Sequence, residues 1–283
     1  MVRTVSIGLK PRRAGLYSAA PDQPGGDGEL IQGAGPRSAG QTVLLSGLSV
    51  FLPAHNEEGN IERVVGGFSA ELPAVADSYE IIVVDDGSRD RTREIAERMA
   101  AADAHVRVVH HPVNLGYGGA VISGIKAATK PYVLLCDGDG QFDPADIRRF
   151  AERIRDYDVV VGRRTRRADH RMRRINGKVW TVFMRMLFGL NVTDIDCGFK
   201  LFRRDTVDGI ELHSRGAMIT TELLANLAGR GARICEVEVT HLPRVAGESS
   251  GNSPWVILRA FRELFALYRE LKAAREGGGK SRD

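Results

Sequence analysis

The sequence predicts an α/β protein built on a mostly parallel sheet with helices on both faces. Three observations predict it. Short apolar runs alternate with segments of helical period from Leu48 to Val161, the pattern of repeated β-α units. Polar clusters follow directly on three of the first four apolar runs, at the place where open α/β sheets bind ligands. The chain has 283 residues, 43% hydrophobic and 27% charged, enough for one such domain with tails.

Each element has a local reason. Leu48-Ser49-Val50-Phe51-Leu52 reads as a buried strand, and Asn56 then opens a helix that places Ile61, Val64, Val65 and Phe68 on one face. Glu80 to Asp86 is a second strand, followed by a helix through Met99 capped by Ser88 or Asp90. Val106 to Val109 is a third strand, and Gly116 to Ala128 is helical. Pro131 to Cys136 is the fourth strand, and Pro144 can occupy the first position of the next helix, which takes in Ile147 to Ile154. Asp158 to Val161 is a fifth strand. Residues 1–46 are rich in Gly, Pro, Ser and Ala without a sustained apolar period and read as a disordered tail; residues 276–283 read as a second one.

Composition excludes several classes. Cys136, Cys197 and Cys235 are widely spaced with no C-x-x-C pair, which argues against a disulfide framework or a zinc site and for a reducing compartment. Net charge is only +4. No signal peptide is expected, and no apolar stretch is long enough to span a bilayer.

The chain is organised around Cys136-Asp137-Gly138-Asp139-Gly140-Gln141-Phe142-Asp143-Pro144. Alternate residues of an extended segment point to one side, so Asp137 and Asp139 converge, with Gly138 allowing close approach. Two ionised carboxylates repel unless a cation lies between them, and hard oxygen ligands favour Mg²⁺ or Mn²⁺. A polar turn capping the next helix is the other reading of this stretch alone. Pro53-Ala54-His55-Asn56-Glu57 and Asp85-Asp86-Gly87-Ser88 end two more strands, and Asn114-Leu115-Gly116-Tyr117-Gly118-Gly119 leads from the third strand into its helix. Glycines there let backbone approach a ligand, and helix N-termini attract phosphate. At one edge of one sheet these clusters describe a nucleotide-diphosphate and metal site.

Taken together, these motifs resemble the family 2 glycosyltransferases, and among them the dolichol- or polyprenyl-phosphate hexosyltransferases such as dolichol-phosphate mannosyltransferase. The resemblance covers about Ser49 to Ser250. It implies a GT-A (Rossmann-like) fold over residues 47–252, a nucleotide-sugar donor, a divalent metal and inversion at the anomeric carbon. By matched motif it implies that Pro53, His55 and Glu57 line the nucleoside pocket and that Val83 and Asp85 contact base or ribose. Asp137, Gly138, Asp139 and Gln141 would surround the diphosphate and the metal, with Asp137, Asp139 and Gln141 around the ion. Arg164, in Gly162-Arg163-Arg164, would hold an acceptor or donor phosphate. Arg244, in Arg244-x-x-Gly247-Glu248-Ser249, would reach the diphosphate from a loop that closes over the donor. Glu222 falls where other family members carry the catalytic carboxylate; it is either that base or a structural helix residue. Asp194-Ile195-Asp196-Cys197-Gly198-Phe199 resembles an element between acceptor and donor, with acids that position sugar hydroxyls or stabilise the loop. Two positions depart from the family pattern: Ser250 and Met218 stand where lysines are usual.

The acceptor side is basic. Arg163, Arg164, Arg166, Arg167, Arg171, Arg173, Arg174 and Lys178 crowd one segment beside the apolar stretch Val179 to Phe188. No aromatics interleave with the arginines, so nucleic acid is not expected. Basic residues beside an apolar helix suit anionic headgroups; an ordinary core helix is the alternative. Residues 253–275 read as an amphipathic helix, with Trp255, Leu258, Phe261, Leu264, Phe265 and Tyr268 at helical spacing, lying at a membrane interface or packed on the sheet or a second subunit. The expectation is metal-dependent, inverting transfer of a hexose of mannose or glucose type to a polyprenyl or dolichyl phosphate. Arg164, Arg171, Arg173 and Arg174 would bind the acceptor phosphate, on the cytoplasmic face of a membrane that the protein meets peripherally. The absence of spanning helices leaves room for an integral membrane partner or a homo-oligomer. The rival readings are transfer to a soluble or polymeric hydroxyl acceptor and a non-catalytic nucleotide-sugar-binding protein.

Overall fold

The computed structural model describes residues 44–164, 190 and 192–244. Seven strands form one sheet: β1 (Leu48–Ala54), β2 (Tyr79–Asp85), β3 (Val106–His110), β4 (Tyr132–Cys136), β5 (Val159–Arg164), β6 (Phe199–Arg203) and β7 (Ile234–Val239). Their order is β3-β2-β1-β4-β6-β5-β7. Every pairing is parallel except those of β6, which runs antiparallel to both β4 and β5. The expected mostly parallel sheet is present.

The central strands β1, β2 and β4 are almost wholly buried because both faces are covered. All residues of β1 are buried. Val50 and Leu52 pack into one layer, with Ile61, Phe68, Ile95 and Phe150. Phe51 packs into the other, with Val121, Ile219 and Leu223. Helices α1 (Ile61–Glu71), α2 (Thr92–Ala102) and α4 (Ile147–Arg153) thus cover one face. Helices α3 (Tyr117–Ala127) and α6 (Met218–Gly229) cover the other, while α5 (Arg204–Val207) is a single turn after β6.

Two elements differ from expectation. Helix α1 begins at Ile61, not Asn56. Asn56 has φ of 57°, a left-handed conformation that asparagine tolerates and a helix does not. Its amide donates to Ser88 Oγ (3.0 Å) and its Oδ1 accepts from Arg89 N (2.8 Å), so the loop is bonded to the end of β2. The sequence reading places no strand beyond Val161, yet β6 and β7 complete the sheet; β6 carries Lys200 in its middle, which breaks an otherwise apolar run. At the start of the described residues, Leu44 and Leu45 both donate to Val75 O (3.0 Å). Ahead of α4, Asp143 accepts from Ala145 N (3.0 Å) and Pro144 opens a short 3-10 turn. Among the described residues, no helix is long and apolar enough to cross a membrane. The basic segment from Arg166 to Lys178 with Arg171, Arg173 and Arg174, the Val179–Phe188 stretch and the stretch read as an amphipathic helix at 253–275 lie outside the described residues.

Candidate active site

The carboxyl ends of β1, β2, β4, β5 and β7 bring the expected residues to one edge. Asp137 leaves β4 with its amide bonded to Gly198 O (3.1 Å). Its Oδ1 accepts from the Tyr117 hydroxyl at 2.8 Å. Burial first, and then Asp139, push the Asp137 carboxyl up to about 7: two carboxylates are held close together in a partly buried site. Gly138 donates to Pro53 O at 3.1 Å, and a Cβ at this position would lie 2.9 Å from that oxygen. The glycine thus lets β4's exit lie against β1's.

Asp139 accepts from Gln141 N at 3.0 Å and from Arg244 Nη2 at 2.7 Å. Arg244 Nη1 is also 3.5 Å from Glu57 Oε1. Burial raises the Glu57 carboxyl despite a hydrogen bond from Asn60. Arg244 is delivered by a strap after β7: Leu242 N donates to Gln141 O (2.8 Å), and Gln141 Nε2 donates to Leu242 O (3.3 Å). Gln141 therefore ties the strap to the Asp139 turn. Residues 245–250, the rest of the expected closing loop, lie outside the described residues.

The β1 and β2 loops are joined to each other. His55 Nδ1 lies 2.8 Å from Asp86 O, and its Nε2 lies 3.2 Å from the Asn56 carboxamide. Asp85, fully buried, lies 2.8 Å from His110 Nδ1 and accepts from Ser88 N (3.2 Å). Asp86 meets His111 (2.7 Å) and accepts from Leu115 N (2.8 Å). The second acid of this motif thus anchors the loop that leads into α3. Val83 is fully buried within β2, its side chain part of the core.

Two expected residues are committed within the protein. Arg164 makes a two-pronged pair with Asp194, Nε to Oδ2 at 2.8 Å and Nη2 to Oδ1 at 2.7 Å. Glu222, at 1% exposure, accepts from His213 N (2.7 Å) and Ser214 N (2.8 Å), one amide on each oxygen. That favours the structural reading of Glu222 over the base.

Sequence reasoning missed Tyr117, His110, His111 and Lys200. Lys200 is fully buried on β6, donates to Cys197 O, and has its pKa lowered by burial against the pull of nearby acids that include Asp137. Its place inside an apolar run was the available signal. Tyr117 sits in a glycine-rich helix start, where a large side chain stands out.

Among the described residues, no group of three or more His, Cys, Asp or Glu side chains clusters as a metal cage. The Asp137–Asp139 pair still fits Mg²⁺ or Mn²⁺, which take one or two carboxylates and complete their shell from water and substrate phosphates. Burial and the neighbouring Asp139 raise the Asp137 carboxyl against the pull of Lys200 and Arg164, while Arg244 pairs with Asp139.

The chain matches the glycosyl transferase family 2 model over residues 49–210. An undecaprenyl-phosphate mannosyltransferase from Micrococcus luteus is 31% identical over 70% of this chain and 85% of its own length. Glycosyltransferase AglD from Haloferax volcanii is 32% identical over 74% of this chain, which spans 35% of that protein. An undecaprenyl-phosphate 4-deoxy-4-formamido-L-arabinose transferase from Pseudomonas paraeruginosa is 32% identical over 71% of this chain, which spans 59% of that protein. Glucosyl-3-phosphoglycerate synthase from Mycobacterium tuberculosis, in complex with uridine diphosphate, superposes with a TM-score of 0.60 over 78% of this chain and 79% of its own at 20% identity. The same enzyme with Mn²⁺, UDP-glucose and phosphoglyceric acid gives 0.56 at 23% identity over 76% and 78%. These solved structures share the GT-A arrangement. With the motifs joined at one sheet edge, the chain belongs to glycosyl transferase family 2 and is a glycosyltransferase.

Proposed function

We propose that this glycosyltransferase moves a hexosyl unit, of mannose or glucose type, from a nucleotide diphosphate-sugar to a polyprenyl phosphate with inversion. The observation that carries the reading is the acid pair Asp137–Asp139 at the sheet edge with Arg244 ion-paired across it. The identity to an undecaprenyl-phosphate mannosyltransferase supports the acceptor class. The nucleoside is received between the β1 and β2 loops by Pro53, His55, Glu57 and Asp85. A divalent cation bound by Asp137 and Asp139, with Gln141 beside them, would supply Lewis-acid neutralisation of the departing diphosphate. Arg244 exchanges its ion pair with Asp139 for the diphosphate, adding charge where charge develops.

No protein base is needed for this acceptor. A phosphate monoester has a second pKa near about 6 and attacks as the anion. Glu222, already accepting two backbone amides, fits that economy. Arg164 stays paired with Asp194 and orders the wall of the acceptor site, while Arg171, Arg173 and Arg174 bind the phosphate. The basic segment and the amphipathic stretch at 253–275 hold the protein on the cytoplasmic face of the membrane where the lipid lies. The test is a pair of variants. Asp139→Ala is expected to abolish turnover, while Glu222→Gln that still folds keeps kcat within about tenfold of wild type, far from the loss an essential base gives. Equally severe losses in both point to a hydroxyl acceptor and a Glu222 base.

A further inference from the structure

We propose that Tyr117 is a positioning residue for the Asp137 carboxylate, and that Glu222 braces the helix turn that carries it. The inference rests on the reading of Asp137 as a metal ligand.

The Asp137 carboxylate is confined from two sides. Tyr117 OH donates to Oδ1 at 2.8 Å. Gly198 closes the side of Oδ2 so tightly that a Cβ there would overlap the carboxylate. A tyrosine moves about only two side-chain torsions, so its hydroxyl is as fixed as its backbone. That backbone is clamped. Gly116, with φ of 84°, is the N-cap of α3, and its amide donates to Asn114 Oδ1 (3.0 Å). Gly118 N donates to Arg215 O at 2.9 Å. A Cβ on Gly116 would lie 2.5 Å from Arg215 O, and one on Gly118 would overlap Ser214 O. The two glycines on either side of Tyr117 thus let the 214–215 backbone lie directly on the turn.

The 214–215 backbone is in turn fixed by Glu222, which accepts from His213 N and Ser214 N. Just ahead of the N-cap, Asp86 accepts from Leu115 N at 2.8 Å. The start of α3 is therefore held by two buried carboxylates, Asp86 through the preceding Leu115 and Glu222 through the 213–215 backbone, with Tyr117 bonded from it to Asp137. Outer hydrogen bonds of this kind orient a ligating carboxylate and change metal affinity by roughly 10–100-fold when removed.

The experiment is a Mn²⁺ titration followed by EPR, with the metal alone and with UDP or GDP, on the full-length protein. Wild type, Tyr117→Phe, Glu222→Gln and the double variant are compared, with Asp137→Asn as control and thermal melts alongside. Tyr117→Phe keeps the ring, so a purely structural role leaves Mn²⁺ affinity unchanged. The expected result is a dissociation constant raised about tenfold or more, with the cooperative melt retained. Glu222→Gln raises it in the same direction, and the double variant adds little, because both act through one contact. Wild-type Mn²⁺ affinity in Tyr117→Phe overturns the proposal, as does loss of its cooperative melt, which would make the hydroxyl a packing element. Fully additive effects overturn the brace. A wild-type protein that binds Mn²⁺ in none of the titrations, and no better than Asp137→Asn, overturns the metal reading and this inference with it.

Discussion

Gly198→Ala tests how tightly the Asp137 carboxylate is confined. A Cβ at this position would fall 1.9 Å from Asp137 Oδ2 and 2.2 Å from its Cγ, whereas ordinary contact begins at 3.4 Å. The carboxylate must retreat by about 1.5 Å, or β6 must shift, and a displacement near 1 Å at a reacting centre costs on the order of 100-fold in rate. That is about 2.7 kcal/mol of transition-state stabilisation. Overpacking a filled site costs a further 1–3 kcal/mol of stability, roughly, read as a fall of several degrees in Tm. The assay is turnover of nucleotide-sugar at saturating Mg²⁺ or Mn²⁺, with a parallel melt. Gly229→Ala is the control, because a Cβ there meets nothing within 4 Å. A Gly198→Ala protein with kcat within about threefold of wild type and an unshifted melt refutes the argument that Asp137 has nowhere to go.

Two further outcomes follow from the buried acids. Glu222→Ala leaves the His213 and Ser214 amides without their acceptor, so denaturant unfolding should show a loss of about 1–3 kcal/mol per orphaned group. The Asp137 contribution to the stability of metal-free protein should also fall as pH rises, seen most clearly above the range in which carboxyls held low, such as Glu80, finish titrating. A carboxyl whose folded pKa is raised binds protons better in the native state, so Asp137 contributes stability below 3.8 that is lost progressively as pH climbs to about 7. Mn²⁺ should therefore raise the Tm more above pH 7 than at pH 5, since its ligands bind in the deprotonated form. A Mn²⁺ effect independent of pH contradicts this.

The parts of the site that were legible in sequence are the local ones. Asp137-Gly138-Asp139 and the β1 and β2 loops announce themselves because a polar cluster interrupts an apolar strand. Strands β1, β2 and β4 are equally plain, each a run of buried residues, whereas β3 is legible by its valines, with only Val106 buried. What stayed hidden depends on contacts between distant segments. Arg164 reads as a free cation, yet its partner Asp194 lies 30 residues on. Asp85 and Asp86 read as acids at a strand end, and only the fold shows that each also meets a histidine 25 residues away. Glu222 looks like a base in a Thr-Thr-Glu motif, and only the fold shows both its oxygens spent on the amides of residues 213 and 214. Asn56 satisfies the rule for a helix start, but its left-handed backbone and its bonds to Ser88 and Arg89 belong to a loop-to-loop joint. Lys200 interrupts an apolar run in the sequence, but only the fold shows that it occupies a fully buried strand position and donates to Cys197 O.

The most direct measurement is label transfer. Purified protein is incubated with nucleotide-sugars carrying a radiolabelled hexose, Mg²⁺ or Mn²⁺, and a short polyprenyl phosphate, then partitioned between water and organic solvent, with Asp139→Ala in parallel. The account predicts label in the organic phase for at least one donor, lost without metal and lost in Asp139→Ala. Donor consumed with all label left in water, or lipid product that persists in Asp139→Ala, contradicts it.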